Sequence, residues 1–247
     1  MDLPHPASAD STTTEYLFGP AMLVAPVVNW KAVPRAIWLP PGTWVEWCTN
    51  TSAVYAGPLA LPSREFGLAE IPVFVRGGSV VPLKGLADAV VPPVAPRRLV
   101  FLAFPGGGSP SGPQPVASVF EDEGEGLGYL SGRFWRLDTE QDARGPGDGG
   151  MPLGLSIRPH AGGGGYAGER PSRAYSVQFL LDPSAPPLPP PGSLNVTANG
   201  AAVPEGQNAT APPPTWRIAR VGAYAAIVVD LADSRSGTAV VVRVEAR

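Results

Sequence analysis

The residues able to do chemistry are few, and the densest group is the acidic run Glu121-Asp122-Glu123 with Glu125 close behind. Paired carboxylates are what glycoside hydrolysis or a calcium site uses. In a strand, neighbouring side chains point to opposite faces, so Glu121 and Glu123 share a face and Asp122 does not. Glycine follows at once and nothing apolar closes over them, which reads as an exposed turn rather than a catalytic pair. A calcium site has no further support. His5 and His160 are the only histidines and Cys48 is the only cysteine, which leaves no Ser-His-Asp or Cys-His arrangement a convincing base. A lone thiol also excludes an internal disulfide and any CxxC metal or redox site. No catalytic, cofactor-binding or metal-binding residue is assigned, and no cofactor is expected.

Two further groups carry polar or stacking potential. Arg76 precedes Gly77-Gly78. Its five donors suit a structural role, tying backbone carbonyls beside glycines that let the chain approach closely. Trp38, Trp44 and Trp47 offer flat apolar faces of the kind that stack on a pyranose ring. The spacing of Trp44 and Trp47 is odd, however, so they lie on opposite faces of one strand and cannot form a single platform without a bulge. Core packing is the favoured reading, with Trp44 and Trp47 kept as weak candidates for sugar contact.

The elements that must position these groups are strands. With 30 Gly and 32 Pro among 247 residues, turns are frequent and long amphipathic helical patterns are absent. Residues 1–15 are polar and proline-bearing, a flexible lead-in. Ala21 to Val28 and Arg35 to Leu39 are short apolar runs closed by proline; Pro40-Pro41-Gly42-Thr43 reads as a turn, with Trp44 to Trp47 returning as the second arm of a hairpin. Ile71 to Leu83 reads as two core strands joined by the glycine pair, again a hairpin. A Pro- and Ala-rich stretch from Leu86 to Pro96 marks a boundary. Beyond it, Arg97 to Phe104, Ser118 to Phe120, Ala174 to Leu181, Ala225 to Val229 and Ala239 to Val244 are strand candidates. Asp142–Gly150, His160–Gly168, Pro183–Gly192 and Asn208–Pro214 read as disordered insertions holding little that packs. The expectation is an all-β chain of two successive antiparallel β-sandwiches, 16–92 and 93–247, with long Gly/Pro-rich loops.

Charge is nearly balanced, 18 Lys+Arg against 21 Asp+Glu, which argues against a nucleic-acid partner. No apolar run approaches the ~20 residues of a membrane helix, so no membrane role is expected. Sequons at Asn50, Asn195 and Asn208 are compatible with the secretory pathway, for the endoplasmic reticulum, lysosome or vacuole, or outside the cell, but do not fix the compartment.

Three segments in order carry a resemblance: Tyr16 to Val27, Trp38-Leu39-Pro40-Pro41-Gly42-Thr43-Trp44, and Ile71 to Leu83 with Arg76-Gly77-Gly78. They resemble the part of glycoside hydrolase family 31 enzymes, the α-glucosidases and α-xylosidases, that follows the catalytic barrel. Phe120-Glu121-Asp122-Glu123-Gly124 with Tyr129 and Gly132 resembles the acidic turn of that family's distal β-sandwich, with Glu123 where the family usually has a second Asp. The resemblance implies a proximal and a distal C-terminal β-sandwich. It implies a (β/α)₈ barrel as partner, in cis or on another chain, that binds the α-glucan or glycan substrate and hydrolyses O-glycosyl bonds. Such a barrel takes ~250 residues by itself, and neither of the family's two catalytic aspartates has a counterpart here. The chain alone is expected to be inactive and to serve carbohydrate metabolism as a non-catalytic support. The alternative is a free-standing carbohydrate-binding or adhesion module.

Overall fold

A computed structural model describes residues 15–27, 35–49, 51–67, 70–85, 95–106, 117–142, 152–185, 187–188, 190–206, 212–235 and 238–246. The lead-in before Glu15, most of the expected linker, the expected insertions at 143–150 and 208–211, and the sequon residues Asn50 and Asn208 lie outside them. The described residues are all-β, as expected, and their helical structure is limited to short 3-10 turns at Gly128–Ser131 and Pro191–Ser193. Among them no helix is long and apolar enough to cross a membrane.

Three sheets stack as layers. The first holds β1 (Tyr16–Phe18), β2 (Met22–Val24), β3 (Arg35–Trp47), β4 (Val54–Arg64) and β5 (Val73–Arg76) in the order β1-β2-β5-β3-β4. The middle sheet combines β6 (Val80–Lys84), β7 (Arg98–Ala103), β11 (Ser172–Leu180), β14 (Thr215–Val221) and β15 (Tyr224–Arg235), in the order β14-β15-β11-β7-β6. The third has β8 (Ala117–Glu121), β9 (Trp135–Gln141), β10 (Leu153–Pro159), β12 (Leu194–Ala198), β13 (Ala201–Ala202) and β16 (Val240–Ala246), in the order β13-β12-β16-β10-β9-β8. Pairing is antiparallel except between β7 and β11, which run parallel.

The middle sheet is apolar on both faces because it is covered on both. Phe101, Tyr175, Val177, Phe179, Ile227 and Val229 face the third sheet and pack with Leu137, Leu155, Ile157, Val242 and Val244. From the opposite face, Leu102, Leu180, Ala226 and Val228 meet Val45, Val73 and Val75 of the first sheet. That second contact is fastened by Tyr224, whose hydroxyl donates to the Glu46 carbonyl at 2.5 Å and accepts from the Ala53 amide at 3.0 Å. The first sheet has its own small core, Leu23, Ile37, Leu39, Trp44, Phe66 and Phe74.

Two expected hairpins do not form. Pro40-Pro41-Gly42-Thr43 is no turn: β3 runs through it, pairing with β4 on both sides and shifting register between Leu39 and Gly42. The prolines are tolerated because β5 pairs only with Trp44 to Trp47, so the stretch before Thr43 needs no donor on that side. Likewise β5 and β6 do not pair with each other. β5 lies between β2 and β3 in the first sheet, whereas β6 bonds to β7 in the middle sheet. The expected boundary at residue 92 therefore leaves β6 in sequence with the first unit while its hydrogen bonds join it to the second.

The glycine pair is the crossing point between sheets. The Gly77 amide donates to the Thr43 carbonyl at 2.8 Å, and the Phe104 amide donates to the Ser79 carbonyl at 2.9 Å, so both sheets grip the same short segment. A Cβ on Gly77 would meet the Pro105 carbonyl oxygen at 2.8 Å and Thr43 Cβ at 2.9 Å; Gly78 has φ +78°. Gly77→Ala is expected to cost about 1–3 kcal/mol by overpacking. Urea unfolding would show it as a lower midpoint with an unchanged slope.

Candidate functional site

The acidic run is built into the structure rather than displayed on it. Glu121 ends β8, and both of its carboxylate oxygens bond to the guanidinium of Arg173, which has no exposed surface. Tyr166 donates its hydroxyl to the same carboxylate at 3.1 Å, and the Arg173 guanidinium carbon sits 4.1 Å from the Trp135 ring centroid. Burial pushes the Arg173 pKa down, and its bond to Glu121 more than reverses this. Burial, then the Glu121 charge, raises Tyr166 to about 12. Asp122 accepts from the Gly124 amide at 2.8 Å, an Asx turn, and Glu123 pairs with Arg133 at 3.2 Å. Three acids thus close a turn, and each has a structural partner. Glu121, with both oxygens engaged, is not placed as an acid or base for hydrolysis.

The same network holds the glycine run that the sequence left as an insertion. Gly164 donates to the Gly132 carbonyl at 2.8 Å, and Tyr166 reaches Glu121, so the His160–Gly168 loop is pinned along the edge of the sandwich. Arg173 is the participant that sequence reasoning missed. Its signal was parity, because Arg173, Tyr175, Val177 and Phe179 all fall on the buried face of β11.

His160 meets Asp138 through Nδ1 at 2.7 Å on the exposed face of the third sheet, where Ser118 also donates to Asp138 at 2.7 Å. Burial pushes Asp138 up, but hydrogen bonds from Ser118, His160 and Arg136 outweigh it and hold the carboxyl below its usual value. Ser118 bonds the acid and not the imidazole, so these three residues do not form a nucleophile-base pair. Among the described residues no group of three or more His, Cys, Asp or Glu could hold a metal ion.

Trp44 is fully buried, its Nε1 donating to the Pro40 carbonyl at 2.7 Å, and it presents no face for a sugar. The Arg76 guanidinium carbon lies 5.3 Å from its ring centroid, while Arg76 Nε is buried without a hydrogen bond. Trp47, on the opposite face, packs edge-on against Phe104 and remains half-buried. It stands on the wall of a groove of about 940 Å³ over the part of the middle sheet that the first sheet leaves uncovered. Asn195 of the remaining sequon is half-buried in β12.

These observations define a layered β module whose charged clusters fasten loops. Residues 1–81 match the glycosyl hydrolase family 31 C-terminal domain. The chain is 22% identical over 151 residues to a 1,6-alpha-glucosyltransferase of Sporosarcina globispora, covering 61% of this chain and 11% of that protein. It is 41% identical over 70 residues to neutral alpha-glucosidase C of Macaca fascicularis, covering 28% of this chain and 9% of that protein. Among solved structures, a GH31 dextranase of Flavobacterium johnsoniae in complex with glucose superposes with TM-score 0.67 at 22% identity, over 94% of this chain and 26% of that one. The chain thus resembles the C-terminal β region of family 31 enzymes and spans a small fraction of their length. That region normally sits with a catalytic barrel in the same chain.

Removing one partner of the buried pair leaves the other charge uncompensated. Glu121→Gln is expected to cost about 3–5 kcal/mol, read as a lowered Tm, with the His160–Gly168 loop losing amide-exchange protection. Alkali provides a second check. Burial raises Tyr166, Tyr175 and Tyr224 above the usual 10.0. The unfolded chain therefore releases these protons first, so their contribution is intact below about pH 10 and is lost as pH rises toward and beyond 12. Urea midpoints should be flat from neutrality to about pH 10 and fall above it.

Proposed function

We propose that the chain is the non-catalytic C-terminal β region of an α-glucosidase-type family 31 glycoside hydrolase, a support for the barrel in which O-glycosyl bonds are hydrolysed. The observation that carries this reading is the edge of the first sheet. All three residues of β1 are exposed, Tyr16 at 52%, Leu17 at 41% and Phe18 at 61%, and Ile71 on the same unit is 55% exposed. Three large apolar side chains exposed together on an edge strand are the mark of an interaction surface. Matching residues 1–81 to the family supports the same assignment, because that stretch contains β1 to β5 and the crossing glycines. In this reading the proximal unit ends at Gly77-Gly78 and the distal unit begins with β6. Arg76, Gly77, Gly78, Glu121 and Asp122 serve the architecture and none takes part in hydrolysis.

An antibody raised against residues 97–247, used on extracts of the source cells, tests the assignment. The expected result is a species far heavier than the 25.6 kDa of this chain, with glucosidase activity toward maltose in the precipitate. A species of 25.6 kDa without such activity would overturn it.

A further inference from the structure

The groove that Trp47 overhangs is charged unevenly. Among the described residues that line it, Lys84, Arg97, Arg98, Arg170 and Arg217 stand against Asp230 and Asp233, an excess of three positive charges in a chain whose net charge is −3. Three segments bring most of these cations to one end of the middle sheet. β6 ends at Lys84, the Gly85 amide then donates to the Arg98 carbonyl at 3.0 Å, and Arg98 at the start of β7 lies opposite Ala174 of β11. Arg170, just before β11, is drawn to the same end by the bond from its Nε to the Ala95 carbonyl. The floor is concave, since Ser176 is 2% and Asp230 7% exposed. Asp230 pairs with Arg217 at 2.5 Å and with Arg98 at 3.6 Å, so one buried carboxylate orients two guanidiniums and the trio stays net positive. Four residues along β7 from Arg98, about 13 Å at the rise of a strand, Leu102 and the neighbouring Trp47 make the other end apolar.

We infer that this groove binds a di- or triphosphate, with the phosphoryl chain at the end formed by Lys84, Arg98 and Arg170 and, where the ligand carries a flat ring, that ring toward Trp47. The inference stands apart from the family 31 reading and needs no barrel. An excess of three positive charges is matched within one small ligand only if it carries several negative charges close together. Two or three linked phosphoryl groups do so near neutral pH, and a single carboxylate does not. Guanidinium forks meet phosphoryl oxygens with two parallel hydrogen bonds, and Lys84 adds a compact point charge. Walls of one charge sign around a concave space concentrate the field and draw in the opposite charge. A volume of about 940 Å³ is that of a small-molecule site, and the apolar end gives an aromatic ring a face to pack on. No bond is made or broken.

The test is calorimetric titration of the purified 247-residue chain, at low ionic strength, with inorganic triphosphate and with ATP, with tryptophan fluorescence recorded in parallel. Saturable binding of both is expected, weakened about tenfold by the double variant Lys84→Gln/Arg97→Gln, which removes two exposed charges from the groove. The control is Arg158→Gln/Arg243→Gln, the same change in net charge made on the exposed face of the third sheet, and it should leave the affinity unchanged. Tighter binding of ATP with quenched fluorescence supports a site that takes the ring as well; equal affinities support recognition of the phosphoryl chain alone. Absence of saturable binding by either ligand, or equal weakening by the two double variants, overturns the site. The chain has two lysines, Lys31 and Lys84, so protection from acetylation, read by mass spectrometry, gives a second measurement that does not depend on a variant folding. Triphosphate should protect Lys84 and not Lys31, and unchanged labelling of Lys84 at saturating triphosphate also overturns the site.

Discussion

The structure depends on the passage of the backbone through Gly77 and Gly78. At that point the chain leaves the first sheet and enters the second, held by Thr43 on one side and by Phe104 and Pro105 on the other. No side chain fits between those backbones, since even a Cβ at Gly77 would lie 2.8 Å from a carbonyl oxygen. Everything downstream inherits its position from this contact. β6 can pair with β7 only because β5 has already been left behind, and the first sheet can cover the middle one only because the link between them is this short.

A sheet covered on both faces must be apolar on both, and the middle sheet meets that demand only where it is covered. Tyr224 shows how the two units are joined at the seam: a buried ring with a hydroxyl that satisfies backbone groups of Glu46 near the end of β3 and of Ala53 just before β4. Burial with its polar tip engaged lets a tyrosine serve as both hydrophobic anchor and hydrogen-bonding latch. Past the edge of the cover the side chains turn polar without becoming exposed, and this change of composition on one sheet face is what sets the groove apart from the surrounding surface.

The strongest electrostatics in the molecule serve its shape. Arg173 is enclosed among Trp135, Tyr166 and Glu121, and its desolvation is offset by a two-pronged bond to a single carboxylate. Such a pair adds little net stability when compared with apolar packing, yet neither member can be removed alone. Its effect here is positional, since it draws the start of β11, the end of β8 and the glycine loop to one point. The acids that composition alone would nominate for hydrolysis are thereby committed to holding loops.

Much of the architecture was legible in order and composition. Apolar runs of five to eight residues broken by proline and glycine specified strands, and the odd spacing of Trp44 and Trp47 placed them on opposite faces, because strand side chains alternate. What a single chain could not disclose was partnership. Whether Val73–Arg76 and Val80–Lys84 pair with each other or with strands in different sheets depends on contacts far apart in sequence, and local turn chemistry favoured the wrong partner. The same holds for Glu121, which reads as an exposed turn until Arg173, 52 residues away, closes over it. The sequence by itself determined strand periodicity and the resemblance carried by residues 16–135; tertiary structure decided where the chain turns, which strands share a sheet and which charges are buried, because hydrogen-bond pairing and desolvation are properties of neighbours in space.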